Sequence, residues 1–524
     1  MRTFAWLLCG ALTLGCGGRP SAWDTSFMPA NGTTGVSAAY GLTASAAVVD
    51  QSLGRVTMLS SPSALNLSAQ SFGLGHDLAN AQTSFDRKTL FLLSRGVQPQ
   101  RNPGDEPPKL MLIDGDGSLS VKQTYTLKDP LDQLALDPQN EWAVAYGGSG
   151  VVVNQNELLF VDLSKTDSSA VIAKTLSSFG KNPDRLTFTS QFTVAGIDPR
   201  RFLIVERDSD IVLVDLTDPA NSDVTVPLPL ADNGSAGRSA QIVYDPASAI
   251  VAVRVTGSSS VLLVQLGAPA EATQKFSVIT NLVDVGGFPA TIDFVHTSLG
   301  LRLVALVGTN AVLVDPQTAI TTSAVLPAPF TGIRRITDAL NPDAAATDTD
   351  IALLYGANTT QIAYFDFGDV SALFRSVEAS DIGVPVQNVI DVPEGPFEDR
   401  KILETPSEDF YVLDLSTRQS APMTTSAGLT LEVSPDGERV WAYQPGSPGF
   451  ASVEFSTLDP VSLIAERAVS AVFDIRAANG ARNALALHFG DGFHGGIGAT
   501  VVDVAAPTTA TARFYSGLEL GGIH

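Results

Sequence analysis

One recurring pattern constrains the fold of this chain more than any other feature. Three or four apolar residues, many of them β-branched, are followed by an acid or a related polar residue and then by a turn. Ten such segments occur, and their ends are about 49 residues apart on average. The end residues are Ser60, Asp114, Asp162, Asp215, Gln265, Asp315, Asp366, Asp414, Glu454 and Asp503. A period held over most of 524 residues indicates a repeat architecture rather than a series of unrelated domains.

A second apolar segment lies upstream of the acid-ending segment in most units. Examples are residues 90–93, 142–146, 202–205 and 440–443, and several of these segments follow turn residues such as Asp137-Pro138 or Asp245-Pro246. Asp, Pro and Gly favour tight turns for different stereochemical reasons. Each unit is therefore predicted to contain turn, strand, loop and strand, with room for two further strands. Four short strands in about 49 residues are typical of a propeller blade.

The unit that begins at Ser434-Pro435-Asp436-Gly437 carries a family resemblance. This turn, the strand after it and an apolar strand that ends in an acid are similar to YVTN/WD40-type β-propeller repeats. The resemblance covers residues of about 40–515, although the Trp-Asp and Gly-His pairs of true WD40 blades are missing. It implies an all-β fold, a β-propeller over residues 37–524.

The expected blade number is about eight, each blade having four strands, because most propellers have four to eight blades. Ten end segments leave nine or ten blades open. The weak unit at residues 45–60 is expected to complete the last blade, as N-terminal strands often do in related propellers. A stack of two or more β-sandwiches is the alternative, but sandwiches do not require one period across the whole chain.

The first residues are predicted to be a targeting segment. Arg2 precedes an apolar run over Phe4–Leu14, which is too short to span a bilayer as a helix. The run ends at Leu14-Gly15-Cys16, which resembles a bacterial lipobox, with Thr13 where Leu is usual. The resemblance implies that residues 1–15 are a lipoprotein signal peptide and that Cys16 becomes lipidated. An ordinary secretory signal is the alternative.

Residues 16–36 are rich in Gly, Pro, Ser, Asn and Thr, and we expect them to be a flexible tether between the lipid and the propeller. Gly17 follows Cys16, where no Asp is present. In Gram-negative lipoproteins this pattern implies sorting to the outer membrane. The expected location is therefore the outer membrane, on its periplasmic face or at the cell surface.

Charge and cysteine content exclude several function classes. The chain has 32 Lys and Arg against 55 Asp and Glu, a formal net charge of −23. Nucleic-acid binding requires clustered positive charge to neutralise phosphates, so no nucleic-acid partner is expected. Two Cys cannot form a disulfide framework or a Cys-rich zinc site. Only Cys16 would remain after signal cleavage, and its lipid would exclude thiol catalysis.

Candidate catalytic and metal-binding motifs are weak. The acids at strand ends could line a cation site, but we interpret them as caps of the turns that follow. Asp114–Ser118 resembles the start of a calcium loop, yet Leu119 and Tyr125 stand where an EF-hand needs Gly and Glu. The five His show no zinc-like spacing. We therefore predict no catalytic residues, no metal site and no cofactor.

Variable loops are the more informative feature. If the acid-ending strand is the third of each blade, the loop before it opens on one rim of the ring, where insertions in repeat proteins tend to bind partners. Four such loops are long: Val97–Lys109, Gly147–Asn156, Gln444–Phe450 and Gly490–Gly498. Neutral variation in loop length is the alternative. The candidate binding residues are Arg101, Asp105, Glu106, Asn154, Phe450, Asp491, Phe493 and His494.

The combined expectation is a non-enzymatic propeller lipoprotein, anchored in the outer membrane, that serves as a protein-binding scaffold of the bacterial envelope. Its partners would be envelope or surface proteins. A propeller enzyme, either a lactonase-like hydrolase or a cofactor-dependent dehydrogenase, is one alternative. Polysaccharide binding is another, and it rests on an acidic surface with loop aromatics such as Phe450 and Phe493.

Overall fold

The chain forms ten four-stranded antiparallel sheets, each made of four strands that are consecutive in sequence. The computed structural model describes residues 37–516 and residue 518. Gaps within this range lie at 52, 64, 118–119, 149–155, 177–181, 194–195, 197, 270–274, 337–348, 368–376, 394, 425–427, 466, 477–479, 490–497 and 505–511. The proposed signal peptide, Cys16 and the tether lie outside the described residues. The sheets are the blades of a β-propeller, numbered here in chain order.

The strands of blades 1 to 5 are given in order from the innermost to the outermost. Blade 1 contains β1 (Ser37–Gly41), β2 (Ser45–Asp50), β3 (Arg55–Ser60) and β4 (Ser68–Gly73). Blade 2 contains β5 (Leu78–Thr83), β6 (Thr89–Ser94), β7 (Lys109–Asp114) and β8 (Val121–Thr126). Blade 3 contains β9 (Gln133–Leu136), β10 (Trp142–Tyr146), β11 (Glu157–Asp162) and β12 (Val171–Thr175), with a 3-10 turn at Ser168–Ala170. Blade 4 contains β13 (Arg185–Phe188), β14 (Phe202–Glu206), β15 (Asp210–Asp215) and β16 (Asp223–Pro227). Blade 5 contains β17 (Ser239–Asp245), β18 (Ile250–Val255), β19 (Ser260–Gly267) and β20 (Ser277–Asp284).

The other five blades repeat the arrangement. Blade 6 contains β21 (Thr291–Thr297), β22 (Gly300–Val307), β23 (Asn310–Val314) and β24 (Thr321–Val325). Blade 7 contains β25 (Gly332–Arg335), β26 (Ile351–Tyr355), β27 (Gln361–Asp366) and β28 (Val377–Asp381). Blade 8 contains β29 (Asn388–Asp391), β30 (Arg400–Glu404), β31 (Phe410–Asp414) and β32 (Gln419–Pro422). Blade 9 contains β33 (Thr430–Val433), β34 (Arg439–Tyr443), β35 (Gly449–Glu454) and β36 (Pro460–Ile464). Blade 10 contains β37 (Ala471–Arg476), β38 (Arg482–His488), β39 (Gly498–Asp503) and β40 (Ala512–Ser516).

The two middle strands of each blade are apolar on both faces because both faces are covered by neighbouring blades. In blade 4, β14 and β15 are buried along their whole length. The outermost strands alternate or are largely exposed, as β8 is. Continuous apolar runs are the sequence signature of strands covered on both sides. This packing explains why the third strand, with its terminal acid, was the most visible repeat in the sequence.

All ten end residues of the sequence pattern lie in or directly after a third strand. Eight are the last residue of that strand, Gln265 lies inside β19, and Asp315 directly follows β23. The expected blade number of about eight was wrong, because every marked segment corresponds to one blade and none is accessory. The ring is larger than the usual four to eight blades. The ten end segments had left ten blades open, and the structure confirms that number.

Ten hydrophobic clusters hold the blades together, and each joins two neighbouring blades. An open arc of ten blades would need nine. The tenth cluster packs Val48 and Leu59 of blade 1 against Phe473, Leu485 and Val501 of blade 10. The ring is therefore closed by the same apolar stacking that joins every other pair of blades.

The closure uses no shared blade. Residues 45–60 were expected to complete the last blade, but they form β2 and β3 of a separate first blade. Instead, polar contacts seal the seam. The buried Asn483 side chain donates to Ser61 Oγ at 2.8 Å and accepts from the Leu65 main-chain N at 3.3 Å. The Tyr515 hydroxyl donates to the Leu65 carbonyl at 2.6 Å.

Successive strands of a blade run in opposite directions, so the loops lie on two opposite faces of the ring. Loops between the first and second strands, and between the third and fourth, lie on one face, here called the lower face. Loops between the second and third strands, and those linking one blade to the next, lie on the opposite, upper face. No helix among the described residues is long and apolar enough to cross a membrane.

Candidate functional site

The upper face contains the longest of the predicted binding loops that the structure describes, residues 95–108. It joins β6 to β7 and is called here the 95–108 loop. Its ends are held together by a hydrogen bond from the Val97 main-chain N to the Glu106 carbonyl at 2.9 Å. At its tip, the Asp105 carboxylate accepts from the main-chain N of Arg101 at 2.7 Å and of Asn102 at 2.8 Å. The loop is therefore folded on itself by its own hydrogen bonds.

Two of the predicted residues have altered acidity in this loop. The hydrogen bonds from the Arg101 and Asn102 main-chain N lower the pKa of Asp105. Burial acts to raise the pKa of Glu106, but hydrogen bonds from Lys109 and His76 outweigh it, and the pKa is lowered. Both carboxyl groups are consequently anionic at neutral pH. Arg101 remains exposed at the tip, with its guanidinium available to a partner.

Glu106 connects the 95–108 loop to the segment that links blade 1 to blade 2. Its carboxylate accepts from the His76 main-chain N at 3.0 Å and contacts His76 Nδ1 at 2.5 Å, and it pairs with Lys109. An open cavity of about 370 Å³ lies beside this cluster, bounded by Leu53, Leu74 and Asp77 as well. The sequence singled out Glu106, whereas its contact with His76 was not predicted because the two residues lie 30 positions apart in the chain.

Four other predicted residues cannot be placed in the site. Asn154, Asp491, Phe493 and His494 lie outside the described residues. Of the four predicted long loops, the structure describes 95–108 and residues 444–448, with the other two only in part.

Phe450 requires a correction. It was expected to be an exposed loop aromatic, but it lies in β35 and is only 5% exposed. Its ring packs against Trp441, with centroids 6.1 Å apart, inside the cluster between blades 9 and 10. Strand β35 begins at Gly449 and so includes Phe450, whose ring packs into the apolar cluster. Phe450 is therefore a core residue.

The acids at the ends of third strands act as turn caps on the lower face, as predicted. Asp162 accepts from the Ser164 main-chain N at 3.1 Å, Asp215 from Thr217 at 2.9 Å and Asp315 from Gln317 at 2.9 Å. Asp414 accepts from the Thr417 main-chain N at 3.0 Å. Among the described residues, no group of three or more His, Cys, Asp or Glu is arranged to hold a metal ion.

These acids have a second role that the sequence did not predict. In four blades an arginine near the start of the second strand pairs with the acid that ends the third. Arg400 and Arg439 lie directly opposite Asp414 and Glu454 in their ladders. The other two pairs are Arg200 with Asp215 and Arg302 with Asp315. Arginine recurring near the start of the second strand was the signal that could have identified these pairs.

A charged cluster lies along the inner strands of blades 5, 6 and 7. His296 on β21 places Nδ1 3.3 Å from Asp350 and Nε2 3.8 Å from Asp245, while Arg335 is 3.7 Å from Asp350. The hydrogen bond with Asp350 raises the pKa of His296. Burial raises the pKa of the neighbouring Asp293 to about 6. The cluster links three blades, so it is a structural junction as well as a titratable group.

Along the inner strands of blades 2 to 4 lies a second open cavity of about 490 Å³. Its polar lining includes Arg87, Tyr146 and Arg185, while Leu134 and Leu136 contribute apolar surface. Arg185 is paired with Glu206 through its Nη2 at 2.8 Å. Arg87 reaches Glu432 on the inner strand of blade 9 at 2.7 Å. These cations are therefore partly neutralised before any ligand arrives.

Comparisons with known proteins find similar solved structures but no matching sequence. No protein-family model and no curated protein sequence matches the chain. Among solved structures, it is similar to the dihydro-heme d1 dehydrogenase NirN in complex with DHE, at 12% identity and a TM-score of 0.42, over 72% of this chain and 73% of that chain. It is also similar to Saccharomyces cerevisiae Sqt1, at 13% identity and a TM-score of 0.40, over 67% of this chain and 92% of that one. A third similar structure, BBS1N in complex with ARL6DN, has 11% identity and a TM-score of 0.35, over 64% and 89% of the two chains. These similarities carry no conclusion about this chain, and its β-propeller fold is shown by the ten four-stranded blades themselves.

Proposed function

We propose that this protein is a non-enzymatic scaffold of the YVTN-like propeller type, which binds other envelope or surface proteins through the upper face of its ring. In this proposal a lipid on Cys16 anchors it in the outer membrane of a bacterium. The lipid and the location rest on the N-terminal sequence Leu14-Gly15-Cys16-Gly17. The protein-binding role rests on the 95–108 loop.

The observation that carries the proposal is that the 95–108 loop is already folded. Its tip is fixed by the Asp105 carboxylate, and Glu106 fixes its base to the segment that links blade 1 to blade 2. A loop ordered before binding loses less conformational entropy when a partner docks, so more of the contact energy appears as affinity. Loops placed on a rigid scaffold are also where binding functions concentrate.

The alternatives draw on other parts of the ring. The cavity along the inner strands of blades 2 to 4 would be the place for a propeller enzyme's substrate or cofactor. Polysaccharide binding has lost one of its two supporting aromatics, since Phe450 is buried in the core. We therefore place the functional surface at the 95–108 loop.

The proposal is tested by site-specific photocrosslinking in native membranes. A photoreactive residue replaces Arg101 on the upper face, and in a matched protein it replaces Gln139 in the lower-face turn between β9 and β10. We expect a discrete crosslinked protein from position 101 and none from position 139. The Cys16→Ala variant, which cannot be lipidated, should lose this product from the membrane fraction.

Two carboxylate variants then test whether the loop's own order matters. Asp105→Ala removes the cap of the 95–108 loop, whereas Asp167→Ala removes a cap of the lower face, where the Asp167 carboxylate accepts from the Ser169 main-chain N at 2.9 Å. Recovery of the crosslinked partner should fall several-fold for Asp105→Ala and remain unchanged for Asp167→Ala. Equal recovery from all three proteins, or no product from position 101, would refute the scaffold role of this loop.

A further inference from the structure

The outermost strand of each blade is bonded on one side only, and its other edge is open among the described residues. Open edges attract other strands, and proteins usually protect them with charge, proline or short length. Most outer strands of this ring are protected in these ways. Proline lies at an end of β16, β32 and β36, while Lys, Arg or Glu lies within β8, β12, β28 and β40.

The outer strand of blade 5 differs from all the others. At eight residues, β20 is the longest outer strand, and all eight pair with β19. It contains no proline and no cation, and its only charge, Asp284, is its last residue. The two remaining unprotected outer strands, β4 and β24, have six and five residues.

Two large apolar side chains of β20 are exposed. Ile279 is 68% exposed and Leu282 is 50% exposed. Side chains alternate along a strand, so these two project from opposite faces of the sheet. Beside Ile279 an open cavity of about 600 Å³ lies between blades 5 and 6, and Leu263 and Pro316 also line it. The edge therefore offers main-chain groups, apolar contacts on both faces and room for an incoming side chain.

We propose that β20 pairs antiparallel with β20 of a second copy of this chain. The two blades would then form one continuous eight-stranded sheet across a two-fold axis. A two-fold axis brings the same surface together on both sides, so the two rows of main-chain donors and acceptors match by symmetry. This interface requires no further partner and is independent of the scaffold role proposed for the upper face.

The charge distribution is compatible with this occupant. Antiparallel pairing places the two Asp284 side chains at opposite ends of the paired segment, separated by most of the strand's length of about 27 Å, at roughly 3.4 Å per residue. The net charge of −23 belongs to the whole chain, and charges farther apart than about 8 Å are largely screened at physiological ionic strength. The paired edge itself brings no like charges together.

One strand pair is a small interface, and small interfaces are typical of weak, reversible association. The test is therefore sedimentation velocity of the purified chain over a wide concentration series. Ile279→Lys places a charge on the proposed edge. Val325→Lys is the matched control, because Val325 is 63% exposed on β24, the outer strand of the next blade. Thermal unfolding of all three proteins checks that each remains folded.

We expect the wild-type chain to change from monomer to dimer as concentration rises. Ile279→Lys should remain monomeric at the highest concentration, with an unchanged Tm, whereas Val325→Lys should dimerise like the wild type. A wild-type chain that stays monomeric throughout the series would overturn the proposal. So would an Ile279→Lys variant that dimerises normally, or a Val325→Lys variant that fails to dimerise, since either result would place the interface elsewhere.

Discussion

Asp293 lies on β21, the inner strand of blade 6, where its carboxyl group is buried. Burial is the main cause of its raised pKa of about 6, and the nearby Arg335 and the Phe294 main-chain N lower it only in part. In the unfolded chain the same group has a pKa of about 3.8. Asp293 was not among the predicted residues, because its raised pKa depends mainly on burial in the folded ring.

The raised pKa of Asp293 predicts how stability changes with pH. Between about pH 4 and pH 6 the folded protein binds a proton that the unfolded chain releases, so this group makes stability fall as pH rises. Asp293→Asn removes the ionisation. We expect it to be near neutral at about pH 4 and to stabilise the fold by about 1–3 kcal/mol at about pH 8. Urea unfolding at several pH values measures the difference.

Asp381 provides the control for this measurement. It is exposed, and a hydrogen bond from the Gly383 main-chain N lowers its pKa. A lowered pKa contributes stability at neutral pH that is lost on acidification, so Asp381→Asn should not stabilise the protein at pH 8. A stabilising effect of both variants, or of neither, would contradict the role given to burial at Asp293.

At the scale of elements, the repeated unit was predictable because its signals are local. An apolar run, a terminal acid and the turn after it lie within a few residues of one another, and the acid caps that turn at Asp162, Asp215, Asp315 and Asp414. The pairing of Arg200 with Asp215 was not predicted. It depends on the register between β14 and β15, which the apolar pattern and the turn geometry set together.

Arg200 tests how much such a pair contributes. Asp215 is fully buried, so Arg200→Ala would leave a carboxylate without its cation, and we expect a loss of about 3–5 kcal/mol in unfolding free energy. Lys165→Ala is the comparison, because Lys165 is exposed to solvent where it pairs with Asp162, so its removal should lower the unfolding free energy far less than Arg200→Ala does. Chemical denaturation gives both values.

A double variant separates the pair from the rest of the blade. Asp215→Asn added to Arg200→Ala removes the buried charge, so part of the lost stability should return. If the loss of unfolding free energy in the double variant equals the sum of the losses in Arg200→Ala and Asp215→Asn alone, the two side chains do not act as a pair. The lost stability would then come from packing.

At the scale of the whole molecule, the ring depends on one seam that the chain does not cross. Blades 1 and 10 are separated by almost the whole sequence, yet they share an apolar cluster and the hydrogen bonds of Asn483. Every other blade interface is also connected by the continuous backbone. Weakening the seam should therefore expose the terminal blades before the rest of the ring.

Asn483→Ala tests this expectation. It leaves Ser61 and the Leu65 main-chain N without their buried partner, and we expect a loss of about 1–3 kcal/mol. Hydrogen exchange should accelerate in β1, β4 and β40 and remain slow in blades 4 to 6. Asn388→Ala, at an exposed contact with Glu404 inside blade 8, is the control. It should change neither the unfolding free energy nor hydrogen exchange in the terminal blades. Uniformly faster exchange would argue against a preferential seam.

The sequence by itself determined the repeated unit, its third strand, the turn-capping acids and the position of the 95–108 loop, because all of these follow from residues close together in the chain. Tertiary structure alone decided that ten units close into one ring. It also decided that Phe450 belongs to the core, that Glu106 contacts His76, and that burial raises the pKa of Asp293. Each of these depends on contacts between blades. The apolar faces of every blade must be covered by a neighbour, and the ring closes only when the last blade packs against the first. The sequence of a single repeat does not encode how many blades this takes.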